Sequence, residues 1–285
     1  MAANATENFS TLHHKNVIKS LDITRKQVVR LTAGSTPVRE KDELAAEEPL
    51  EIQVDTRSIC VTMRTPGHDA ELAAGFLLTE GLITDRKQIR KIQQHPRNEF
   101  GNLLNVFLAP DVAVDFGQLT RHVFASSSCG LCGKTSIQAL HRRFKPVNSK
   151  WSVRAKVLLD LPGQLRQGQE GFARTGGLHA AAVFTRQGQL VILREDIGRH
   201  NAVDKVLGYG LLKGLLPFDR HILMVSGRAS FEIVQKALAA QVAVVAAVSA
   251  PSSLAVQLAR ESRQTLAGFI RDRRMNIYAG AERIR

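Results

Sequence analysis

The chain has 285 residues, enough for one large domain or two medium ones. Hydrophobic residues make up 44% and charged residues 23%, which excludes wholesale disorder and predicts a buried core. No apolar run approaches the roughly 20 residues of a membrane span, and three cysteines exclude a disulfide framework. The first residues, MAANATENFS, show neither a basic nor an apolar leader region, so a reducing cytoplasm is the expected compartment. The net charge of +13 is unevenly spread. Residues 1–128 hold 15 basic and 16 acidic side chains, whereas residues 129–285 hold 24 and 10. A basic C-terminal part predicts an anionic partner there: nucleic acid, a membrane surface or a phosphorylated ligand.

In chain order, residues 1–20 are polar and unpatterned and are expected to form a loose arm. Alternation from Thr24 to Arg64 predicts strands at Glu51–Asp55 and Ser58–Met63, with acidic 40–51 as a loop between strands. Pro66-Gly67-His68-Asp69 reads as a turn with Asp69 as the cap of a helix over 71–81. Asn102–Leu108 reads as a strand, so residues 21–125 form a small α+β domain. A helix is expected at about 133–144. Strands follow at Ala180–Phe184 and Leu190–Leu193, joined by a hairpin at 186–189. Helices at 202–212, 231–241 and 253–263 then alternate with strands at 222–225, 242–248 and 266–270. That alternation predicts an α/β domain over 126–285 with a largely parallel sheet.

The sharpest local feature is Ser126-Ser127-Ser128-Cys129-Gly130-Leu131-Cys132-Gly133-Lys134-Thr135. Two thiols stand in Cys-x-x-Cys spacing on a Ser/Gly loop that runs toward the expected helix. Free N–H groups and the positive end of a helix favour thiolate over thiol, and Lys134 adds a cation. The residues alone leave four readings: a dithiol redox pair, half a zinc site, a P-loop, or a sulfur carrier holding a persulfide. A structural zinc site wants four ligands, and Cys60 lacks a paired spacing, so no structural metal is predicted. A P-loop wants glycine at position 128, which is Ser.

Ligands of open α/β sheets bind beyond the strand C-termini. The loops there read 194–201, 226–230 (Ser226-Gly227-Arg228-Ala229-Ser230), 249–253 and 271–274 (Arg271-Asp272-Arg273-Arg274). Each is small, polar or cationic, the chemistry of a phosphate site. Aromatics are only 5% and none interleaves these loops, so a bounded dinucleotide-like ligand fits better than nucleic acid. Thr175-Gly-Gly-Leu-His179-Ala-Ala181 echoes the His-x-Glu segment of zinc deaminases, but Ala181 replaces the proton-carrying Glu. A deaminase-like scaffold without deaminase chemistry is expected, with His179 as a candidate site residue.

Together, the Cys129–Gly133 motif, Thr175–Ala181, Arg194–Lys205, Ser226–Ser230 and Ala250–Ser253 resemble the FdhD/NarQ family of formate dehydrogenase accessory sulfurtransferases, over roughly residues 25–285. The resemblance implies a cytoplasmic, homodimeric sulfur carrier with a cytidine-deaminase-like α/β domain beside a smaller α+β domain. A cysteine desulfurase would load Cys129 with a persulfide, and Cys132 would assist. The sulfur would pass to the molybdenum (or tungsten) bis-molybdopterin guanine dinucleotide cofactor, bound as substrate, before its insertion into the formate dehydrogenase apoenzyme. The family's cofactor stretch falls on Phe269, Ile270, Arg271, Asp272, Arg273 and Arg274. Ser226, Arg228 and His179 complete the expected site, and no membrane or nucleic-acid partner is expected. Two alternatives stand beside this reading: a non-covalent cofactor chaperone, and a dithiol oxidoreductase.

Overall fold

The computed structural model describes residues 22–94, 101–112, 114, 116, 137 and 140–285. The expected 1–20 arm, the Cys129–Cys132 loop and the boundary near residue 125 lie outside the described residues. Three sheets are present. Strands β1 (Ile23–Arg30) and β2 (Val38–Ala45) pair only with each other, as an antiparallel ribbon. A four-stranded sheet takes the order β4-β3-β6-β5, with β3 (Glu48–Val54), β4 (Arg57–Arg64), β5 (Ile89–Gln94) and β6 (Leu103–Leu108). Helix α1 (Asp69–Thr79) lies between β4 and β5 in the chain.

The six-stranded sheet has the order β12-β11-β10-β9-β7-β8. Its elements are α2 (Ala155–Gly168), α3 (Glu170–Thr175), β7 (His179–Thr185), β8 (Leu190–Asp196), α4 (Arg199–Leu212), β9 (His221–Val225), α5 (Phe231–Ala239), β10 (Val244–Ala247), α6 (Ser253–Glu261), β11 (Thr265–Arg271) and β12 (Arg274–Ala279). Val244, Val245, Ala246 and Ala247 are all buried, as a central strand covered on both faces requires. The described residues near 140, Ile137 and Leu140 to Arg143, are helical as expected.

Several expectations need correction. The segment 40–51 is not a loop: β2 and β3 run through most of it. The charged side chains of its β2 part sit on a solvent-facing ribbon, where alternating apolar residues are not needed. The sheet is α/β but not largely parallel. Only the β9–β10 and β10–β11 pairings are parallel, while β7–β8, β7–β9 and β11–β12 are antiparallel. The short 186–189 connection can only make a hairpin, and β12 returns beside β11 through Asp272 and Arg273, both with positive φ. Asp69 does not cap α1. It is the first helical residue, His68 is the N-cap, and the Asp69 carboxylate is held by the buried Arg64 at 2.9 and 3.1 Å. Helices α2 and α3 and strand β5 add to the expected elements; in α2 the buried Leu158, Leu161 and Leu165 stand at helical spacing.

The two larger sheets share one hydrophobic core. Helices α1 and α4 cross at backbone contact. A Cβ on Gly75 would overlap the Asp204 carbonyl oxygen, and one on Gly208 would overlap that of Glu71. Glycine is therefore required at both positions by close approach. One half-buried and one buried ion pair flank the crossing. Arg194 donates to Glu71 at 2.6 and 2.9 Å, and Lys236 donates to Asp204 at 2.8 Å.

Gly208→Ala is expected to destabilise the protein by about 1–3 kcal/mol, because neither helix backbone can yield. Gly163→Ala, in α2 with open space around the added methyl, is expected to be neutral or stabilising by up to about 1 kcal/mol. Urea denaturation of the two variants checks the contrast.

Candidate functional site

Strands β8, β9, β10 and β11 point the same way, and β7 runs against them. The loops after β8, β9 and β10 and the β11–β12 turn therefore share one edge with His179 at the start of β7. The structure brings Ser226, Arg228, His179 and the 271–274 turn to this edge, as the sequence reading expects of strand-end loops. Helices α4, α5 and α6 begin there directly after their strands. Their N-caps are Gly198, Ser230 and Ser252. The unpaired N–H groups and positive dipole ends of three helices thus favour negative charge at this edge. The sequence reading starts α4 three residues late and ends β8 three residues early. Arg194, Glu195 and Asp196 are strand, and Asn201 is helical.

Main-chain bonds fix the loops to one another. Ala229 N–H donates to Ala250 O at 3.1 Å, Ser252 N–H to Ala229 O at 3.1 Å, and Phe269 N–H to Ser249 O at 3.1 Å. The last bond falls at a register break between Gly268 and Arg271, where Phe269 takes φ +52°. A non-glycine residue in that region is a strained position held by its surroundings. Arg271 lies over the Phe269 ring at 5.6 Å. Arg271, Asp272, Arg273 and Arg274 are exposed, whereas Ile270 is buried in the core. Ile270 anchors the strand and offers no side-chain surface to a ligand.

Around His179, Ser226 accepts a hydrogen bond from Ala180 N–H at 2.9 Å through its Oγ. Gly227 brings its backbone against the imidazole, leaving a Cβ there 3.4 Å from Nδ1. Burial, and then the charges of Arg199, His200 and Arg228, hold the His179 pKa below its usual 6.5. The ring is thus neutral at pH 7. Ala181, where a deaminase carries Glu, is fully buried in β7. His200 and Glu232 pair at 2.7 Å on the same edge, and Ser230 Oγ lies 3.3 Å from His200 Nε2. The hydrogen bond from His200 holds the Glu232 carboxyl below its usual range. Arg199, His200 and Glu232 are edge residues the sequence reading did not single out. Arg199 and His200 were visible in the 194–201 loop, but Glu232 was hidden in the first turn of a helix.

A buried polar network backs this edge. Asp196 is fully buried and pairs with Lys205 at 2.7 Å. It also accepts from Gly198 N–H at 2.8 Å and Thr65 N–H at 3.2 Å. Lys205 donates to Thr65 O at 2.9 Å, and Asn201 donates to Met63 O at 2.8 Å. The β8–α4 corner is thereby bonded to the end of β4 in the other sheet. Cys60, the cysteine among the described residues, sits in β4 far from thiolate character. Burial, with Glu80 and Asp204 nearby, pushes its thiol up to about 11.

The fold and edge define an α/β protein with three helix N-termini and the exposed Arg228 and Arg271 along one rim of its six-stranded sheet. The chain belongs to the FdhD/NarQ family, whose model matches residues 45–285. Among its relatives is the Sulfur carrier protein FdhD of Streptomyces coelicolor, 48% identical over 91% of this chain and 95% of that protein. The Sulfur carrier protein FdhD of Mycobacterium tuberculosis is 47% identical, over 92% and 98%. A crystal structure of a protein from Desulfotalea psychrophila, assigned as a formate dehydrogenase accessory protein, shares the fold. It matches with a TM-score of 0.74 and 24% identity, over 92% of this chain and 99% of that one.

Depression of a histidine pKa favours the folded state at high pH. From the unfolded value of 6.5 down to the lower folded value, His179 makes stability fall as pH falls. Imidazole NMR is expected to show His179 titrating below 6.5, and Arg228→Ala is expected to raise that midpoint by removing a facing positive charge. An unmoved midpoint would mean that Arg228 does not face the ring.

Proposed function

We propose that this protein is a cytoplasmic sulfur carrier that loads Cys129 with a persulfide and passes the sulfur to a pterin-based metal cofactor destined for formate dehydrogenase. The observation that carries the reading is the near full-length match to relatives named as sulfur carriers, combined with Cys129 and Cys132 on a Ser/Gly loop. The cationic edge supports the second half of the reading. The cofactor proposed as substrate, a molybdenum bis-molybdopterin guanine dinucleotide, carries pyrophosphates, and helix N-termini with arginine forks suit those groups. Ser226, Arg228, His179, Phe269 and the exposed 271–274 turn are the residues proposed to meet it.

The proposed chemistry is thiol exchange. The Cys129 thiolate attacks the terminal sulfur of a cysteine desulfurase persulfide. A new S–S bond forms at Cys129, the desulfurase S–S bond breaks, and the desulfurase leaves as a thiolate. Release at the oxidation level of sulfide needs two electrons. The Cys132 thiolate supplies them by attacking the inner sulfur, which forms a Cys129–Cys132 disulfide and frees hydrosulfide to the metal. A cellular dithiol reductant then restores both thiols. The desulfurase and the formate dehydrogenase apoenzyme are the proposed partners, and a homodimer the proposed assembly.

Incubation with a cysteine desulfurase and cysteine, followed by mass spectrometry of alkylated peptides, is expected to find one added sulfur atom on Cys129. Cys129→Ala is expected to abolish loading and formate dehydrogenase activation. Cys60→Ala is expected to retain both, because a thiol held near pKa 11 is scarcely ionised at pH 7. Full activation by Cys129→Ala would contradict the covalent step and favour a non-covalent cofactor chaperone.

A further inference from the structure

We infer that the opposite edge of the six-stranded sheet carries a second anion site, for a small ligand bearing two or more phosphate groups. A cavity of about 440 Å³ there is lined by Ser152, Arg154, Arg186, Gln187 and Arg285. Its volume falls in the lower part of the range of small-molecule sites. The three arginines come from three distant segments: the start of α2, the β7–β8 turn and residue 285. Among the described residues, no acidic side chain lines the cavity. Among the described residues, none of the three arginines has an ion-pair partner.

The backbone that carries these arginines is fixed. Val153 bridges Ile284, Arg285 N–H donates to Val153 O at 3.0 Å, and Ala155 N–H donates to Arg285 O at 2.7 Å. In the β7–β8 turn, Gly188 N–H donates to Thr185 O at 2.9 Å, and Gly188 packs on Val157 and Leu161 of α2. Three guanidinium groups around one opening repel each other unless a polyanion joins them. Phosphate oxygens match their fork geometry, two acceptors to each fork. Arg154 is also the N-cap of α2, a 14-residue helix whose cap makes no side-chain bond. The helix start thus adds a positive dipole end to the same wall, although its Ala155 and Val157 N–H groups already donate to Arg285 O and Arg154 O.

This cavity is separate from the edge described above. His179 opens β7 and Thr185 closes it, which puts the two regions about 20 Å apart at about 3.3 Å per residue. Among the described residues the lining holds no aromatic platform for bases, and its size admits a bounded ligand rather than a polymer. The inference stands independently of the proposed sulfur chemistry.

Isothermal titration of the full chain with inorganic pyrophosphate tests it. A saturable site is expected whose affinity falls at least about tenfold in the Arg154→Ala/Arg186→Ala double variant, the loss of charge-assisted bonds at two forks. The Arg228→Ala/Arg271→Ala variant is expected to retain that site. Thermal melts of both variants, expected to match the parent because all four side chains are exposed, separate loss of binding from loss of fold. Absence of saturable binding overturns the inference. So does binding that disappears only with Arg228 and Arg271, or a preference for a hexaglutamate peptide over pyrophosphate.

Discussion

Lys205 buries its ammonium beside the Asp196 carboxylate, and that pair is the joint on which the edge depends. Both side chains are withdrawn from solvent and further bonded: Asp196 accepts from Gly198 N–H, Thr65 N–H and the Asn201 side-chain amide, and Lys205 donates to Thr65 O. Thr65 follows β4 of the four-stranded sheet, while Asp196 and Lys205 belong to β8 and α4. One buried ion pair therefore fixes the start of α4 against the other sheet. Removing either partner would leave an unpaired buried charge, at a cost of about 3–5 kcal/mol. The Lys236–Asp204 pair, at the neighbouring position of α4, ties that helix to α5. Burial alone would lower the Lys236 pKa, but the Asp204 and Glu80 carboxylates outweigh it and the ammonium stays charged. The Gly75–Gly208 crossing brings α1 close enough to α4 for Thr79 Oγ1 to donate to Asp204 at 2.8 Å.

That rigidity has a consequence for chemistry. Anion binding at strand ends works when N–H groups and guanidinium forks are held in place before the ligand arrives. Here the 226–230, 249–252 and 268–271 segments are bonded laterally to one another, and the α4 corner is locked from behind. The edge offers fixed positive potential and a neutral imidazole, with an alanine where a deaminase needs a carboxylate. Such a site can hold and orient an anionic cargo. The proposed covalent work falls to a different part of the chain, the Cys129–Cys132 loop, while Cys60 is kept as a protonated thiol inside the structure.

The sequence exposed some of this and concealed the rest, for physical reasons. Uniformly apolar runs such as Val244–Ala247 announce central strands, and the small polar loops after them announce a ligand edge. Burial of Ala180–Phe184 fits the apolar reading of β7. The ribbon of β1 and β2 was half missed because its strands face solvent and need no hydrophobic alternation. Strand order was beyond reach, since β7 inserts between β8 and β9 through tertiary pairing alone. The 271–274 segment looked like an open loop and is a hairpin turn, because the short strand after it is mostly exposed. The Asp196–Lys205 pair was invisible for a different reason: nothing local distinguishes a buried Lys from a surface one.

The central claim is that one preorganised cationic edge receives the nucleotide end of an anionic cargo. Titration of the isotopically labelled protein with guanosine diphosphate, followed by amide NMR, tests it most directly. The account predicts saturable shifts at Ala180, Ser226–Ser230, Ser249–Ser252 and Phe269–Arg274, weakened by Arg228→Ala and separate from any at the Arg154 and Arg186 cavity. Shifts confined to the cavity of Arg154 and Arg186, or none at all, would contradict it.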